Sequence, residues 1–96
     1  MYRQGDLLFV RSEIPADAME QENGVLAKGE VTGHQHRIAS RVQAIMMVSG
    51  IQAYVRSLQD ADIVHEEHGT ITLPAGDWKV CRQREYTPDG WRQVAD

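Results

Sequence analysis

Turn residues recur so closely along this chain that they leave little room for helix. Asn23-Gly24, Ser49-Gly50, Pro74-Ala75-Gly76-Asp77 and Thr87-Pro88-Asp89-Gly90 each carry the glycine or proline that a tight turn requires. Between these breaks the apolar residues alternate. Val42, Ala44, Met46 and Val48 fall on one face of a strand, with Ile45 and Met47 on the other. After Ser49-Gly50, Ile51, Ala53 and Val55 oppose Gln52, Tyr54 and Arg56. A single helix over residues 39–58 is the competing reading. The central glycine and the β-branched Val42, Ile45, Val48, Ile51 and Val55 favour two strands.

The same logic extends along the chain. Residues 7–11 follow Gly5-Asp6 as a short β-like run, with residues 1–4 extending or fraying from it. Ile14-Pro15 ends that run, because proline has no N–H for the ladder. Residues 59–62 read as a turn, and residues 63–65 and 70–73 as short strands. Residues 78–86 form the longest strand candidate. There Trp78, Val80, Arg82, Arg84 and Tyr86 share one face, and Lys79, Cys81, Gln83 and Glu85 the other. A hairpin follows across residues 87–90. The exception is residues 16–22, ADAMEQE, where a turn or two of helix is expected before Asn23-Gly24, too short to be stable alone. The expected fold is therefore all-β, a single domain over residues 1–96. Its form is a small barrel or sandwich with at most one short helix.

Composition narrows the function classes. A net charge of −4 opposes general binding to nucleic acid or anionic membrane, both of which need excess positive charge. The longest purely apolar run, residues 44–48, is far short of a membrane span. The first residues lack the unbroken apolar core of a signal peptide. A single cysteine, Cys81, excludes an internal disulfide and a cysteine-based zinc knuckle, so a reducing cytoplasm is the expected compartment.

All four histidines fall in two short segments: His34 and His36 in GEVTGHQHRI (residues 29–38), His65 and His68 in VHEEHG (residues 64–69). On a strand, residues i and i+2 point to the same side, so His34 and His36 would present two imidazoles to one ion. His65 supplies a third nitrogen from a neighbouring strand. The fourth place lies between Glu67, if that strand continues, and His68, if the chain turns. Imidazole with carboxylate and no thiolate suits iron, manganese, nickel, copper or zinc in an open site. Glu30 is a candidate general base beside such a metal. Arg82 and Arg84 would point to the open end of the core and could hold a small anionic ligand; their alternative is pairing with Glu66, Glu67 or Glu85.

The His-x-His after a glycine, the further histidine some thirty residues on and the Pro-x-Gly turn resemble the metal-ligand arrangement of cupins, over residues 29–76. That resemblance implies a small β-barrel with one metal in its mouth. Separately, GEVTGHQHRI, VHEEHGTITLPAGDW and CRQREY resemble a family of small uncharacterised bacterial and phage proteins, over most of the chain, with no activity implied. Three functions follow as expectations, the first two being a divalent-metal protein, whether enzyme or sensor, and a non-catalytic phage or bacterial interaction module that binds through a sheet edge. A nucleotide or small-anion binder using Arg82 and Arg84 is the third. Free sheet edges make a homodimer the expected assembly.

Overall fold

The alternation seen in the sequence becomes two antiparallel sheets. The computed structural model describes residues 1–28 and 33–82, together with the strand pairing at 86–87 and 90–91. Six strands form the larger sheet: β1 (Tyr2–Gln4), β2 (Leu7–Arg11), β3 (Met19–Gln21), β6 (Ala44–Ser49), β7 (Gln52–Ser57) and β10 (Gly76–Arg82), in the order β1-β2-β10-β7-β6-β3. The smaller sheet has β4 (Val25–Lys28), β5 (Gln35–Ile38), β8 (Ala61–Val64) and β9 (Ile71–Leu73), in that order. A two-stranded hairpin of β11 (Tyr86–Thr87) and β12 (Gly90–Trp91) pairs Tyr86 with Trp91, as the turn at 87–90 implied.

One face of each sheet meets the other in a single core. Leu7, Phe9, Ala44, Met46, Val55, Trp78 and Val80 come from the larger sheet, and Leu26, Ile38, Ala61, Ile63 and Leu73 from the smaller. The arrangement is a sandwich of two open sheets, not a closed barrel. No helix among the described residues is long and apolar enough to cross a membrane.

Several expectations need correction. Residues 16–22 form no helix. Ala18 N donates to Pro15 O at 3.0 Å to close a turn, and Met19–Gln21 then pairs with β6 at the sheet edge. Seven residues cannot sustain a helix in water, and edge pairing satisfies the same backbone groups. The strand pair at residues 44–57 is as expected, with Ala44, Met46 and Val55 inward. Val42 and Ile51, assigned to the same inner faces, lie outside the strands and are exposed. The turn expected at 59–62 gives way to β8 from Ala61, because Ala61 and Ile63 both reach the core.

Candidate functional site

β5 alternates, so His36 and Ile38 face inward while Arg37 faces out. His36 is therefore a buried imidazole at the end of the sandwich, 5 % exposed. Such a ring needs hydrogen-bond partners. The first comes from β1, where Gln4 is 2 % exposed. Its Nε2 donates to Ile63 O at 2.7 Å and Gly69 O at 3.0 Å, which fixes which way the amide points. Gln4 Oε1 is left facing His36 Nδ1 at 2.9 Å. An amide oxygen only accepts, so Nδ1 carries the proton and the lone pair of the neutral ring lies on Nε2.

That nitrogen points into a cavity of about 180 Å³ lined by Asp6, Lys28, His34, His65, Glu67, His68 and others. Asp6 follows the turn at Gly5, and its Oδ1 lies 3.4 Å from His36 Nε2. Its Oδ2 accepts from Arg82 Nη1 at 3.2 Å. Burial pushes the His36 pKa below its usual 6.5, His65 and His68 push the same way, and Asp6 opposes them. Burial dominates, so the neutral ring is favoured.

The segment after β8 bends back instead of continuing as a strand, which brings His65, Glu67 and His68 to the cavity together. His65 holds the bend: its Nδ1 accepts from Glu67 N at 3.0 Å and His68 N at 3.2 Å. In the neutral ring the proton therefore lies on Nε2. Glu66 Oε2 accepts from Gln35 N at 2.9 Å, tying the bend to β5; this bond holds the Glu66 carboxyl below its usual pKa. Glu67 Oε1 meets His34 Nδ1 at 2.9 Å, a contact that orients the His34 ring.

The four rings form a continuous cluster. His65 lies 4.3 Å from His36, 4.5 Å from His68 and 5.7 Å from His34 between ring centroids. His68 stacks nearly parallel to His36 at 5.9 Å. Its ring lies against the backbone of Gly5, where φ is +58°; a Cβ there would come within 2.5 Å of His68 Nε2. As the side chains stand, no group of three or more His, Cys, Asp or Glu among the described residues is arranged to hold a metal ion.

All four histidines, Glu67 and Arg82 thus line one cavity. His34 does so from just before β5, not from within it. Glu30 and Arg84 lie outside the described residues. Sequence reasoning missed Gln4, Gly5 and Asp6. The Gly5-Asp6 turn was visible, but nothing local connected it to histidines that lie thirty to sixty residues away.

Residues 3–83 match the model of a domain family described as a domain of unknown function (DUF8820). No curated protein and no solved structure matches the chain.

Proposed function

The chain belongs to the DUF8820 family, and for this member we propose that the histidine cavity binds one divalent transition-metal ion. The observation that carries the reading is the edge formed by His36 Nε2 and Asp6 Oδ1. With His36 neutral, both atoms are acceptors, and two acceptors face each other favourably only across a proton or a cation. Their 3.4 Å separation is that of neighbouring ligands on a tetrahedral ion, for which bonds of about 2.0–2.2 Å place adjacent donors about 3.3 Å apart.

His36 is the anchor, with Gln4 behind it as the partner that fixes the tautomer. Asp6 is the second ligand. His68 and His34 complete the sphere by rotation of side chains at the cavity rim, a motion of nanoseconds or less for such groups. Glu67 orients His34 through Nδ1, and His65 shapes the bend that delivers His68. With four protein ligands, water or substrate would enter from the cavity as a fifth donor, an expansion that such ions allow. Nitrogen and carboxylate donors without thiolate suit zinc, iron, manganese or nickel.

Cobalt(II) tests the reading, because its visible absorption reports ligand number. Untagged protein should develop the intense bands of four- or five-coordinate cobalt at one equivalent, and His36→Ala and Asp6→Asn should each remove them. Titration without new bands in the wild type would end the proposal.

A further inference from the structure

A second cavity of about 200 Å³ adjoins the first, with Ala27 and Arg82 as their common wall. Its origin is a divergence of strands. The ladder between β10 and β7 runs from Gly76↔Ser57 to Lys79↔Tyr54, yet β10 continues to Arg82 and β7 starts at Gln52. Beyond Lys79 the two strands part. Gln52 Nε2 bridges the gap, donating to Ala53 O at 2.8 Å and Val80 O at 2.7 Å. A shift of register in β4 between Val25 and Ala27 lets consecutive Leu26 and Ala27 both reach the space from the opposite sheet. The result is an opening walled by Leu7, Leu26, Ala53 and Val80, with the fully exposed Ile51 at its lip. A cavity of about 150 Å³ suffices for a benzene ring.

Arg82 stands where this opening meets the histidine cavity. Among the described residues its one ion pair is through Nη1, to Asp6. A guanidinium has five donors in a planar fork, so the contact leaves it able to hold a carboxylate. We infer that the two cavities form one trough for a small organic acid, its carboxylate on Arg82 and its ring or short hydrocarbon chain between Leu7, Leu26, Ala53 and Val80. This goes beyond metal binding and does not depend on it. The test therefore uses metal-free protein.

Amide nitrogen–proton spectra are recorded during titration with phenylacetate, acetate and 2-phenylethanol. Phenylacetate should give saturable shifts at Ala27, Ala53, Val80 and Arg82. Acetate lacks the ring and 2-phenylethanol the charge, so each should bind at least about tenfold more weakly. Arg82→Gln should reduce phenylacetate to the level of the alcohol. Ala53→Leu, which fills the space, should abolish its shifts, and Ile51→Ser at the exposed lip should weaken it about threefold without risk to the fold. Absence of saturable shifts at these amides would overturn the inference. So would phenylacetate binding that ignores both Arg82→Gln and Ile51→Ser. Either result leaves the metal reading untouched.

Discussion

Gln4 and His36, thirty-two residues apart in sequence, meet at 2.9 Å inside the sandwich, and the two carbonyls that hold the Gln4 amide decide which nitrogen of His36 is protonated. One buried side chain on the first strand thereby sets the chemistry presented by a ring on the fifth. Nitrogen-15 shifts of the His36 ring at about pH 8 should show a protonated Nδ1 and an unprotonated Nε2.

Gln4→Leu keeps the volume and removes the amide. Ile63 O, Gly69 O and His36 Nδ1 each lose a partner in or near the core. A loss of about 3 kcal/mol is expected from urea unfolding, since each stranded group costs about 1–3 kcal/mol and relaxation recovers part. An unchanged midpoint would mean that the amide does not hold this network.

Gly5 separates two effects that are usually confounded. Gly5→Ala places a methyl against the His68 ring and puts alanine at a φ of +58°, whereas Gly50→Ala meets only the second penalty, at a φ of +61° with open space around it. Both should lose about 1 kcal/mol from the backbone. Only the first should shift the His68 ring resonances. Equal shifts in both variants would count against the packing of His68 on Gly5.

His65 distinguishes a ligand from a scaffold. Its Nδ1 accepts from two backbone N–H groups of the bend, a role that an asparagine side-chain oxygen can also fill. His65→Asn should retain metal affinity within about threefold, while His65→Ala should weaken it by about tenfold through loss of the bend. If asparagine and alanine are equally damaging, His65 itself binds the ion, as the spacing of the histidines first suggested.

The lowered pKa of His36 makes stability depend on pH in a definite direction. Unfolded, the ring binds a proton near 6.5; folded, it does so only at lower pH. Between those values the unfolded chain holds more protons, so stability falls as pH falls through that window and is level above it. Urea midpoints at about pH 7.5 and about pH 5.5 should show the drop. His36→Gln should make it smaller, and an undiminished drop would assign it to other groups.

Much of the fold was legible because it rests on local alternation. Met46 and Ala44, and Trp78 and Val80, follow the period of two that burial on one sheet face imposes, while residues 7–11 were legible as a short apolar run whose first three residues are all buried. Residues 19–21 escaped this reading because all three are exposed and their strand exists only by pairing with β6. The histidines were legible as two clusters, and the structure gathers both around one cavity. Their surroundings were not, since Gln4, Gly5 and Asp6 reach them from the first hairpin. Strand spacing paired His34 with His36 and offered His65 as a third nitrogen from a neighbouring strand; it could not show that His65 Nδ1 accepts from the backbone of the bend.

Calorimetric titration of untagged, metal-free protein with zinc, alongside His36→Ala and Gln4→Leu, measures whether the histidine cavity binds an ion. One ion per chain is expected in the wild type, with no saturable binding in His36→Ala and affinity about 10–100-fold weaker in Gln4→Leu, the range seen when a partner behind a ligating histidine is lost. Absence of saturable binding in the wild type, or equal affinity in His36→Ala, would contradict the metal reading.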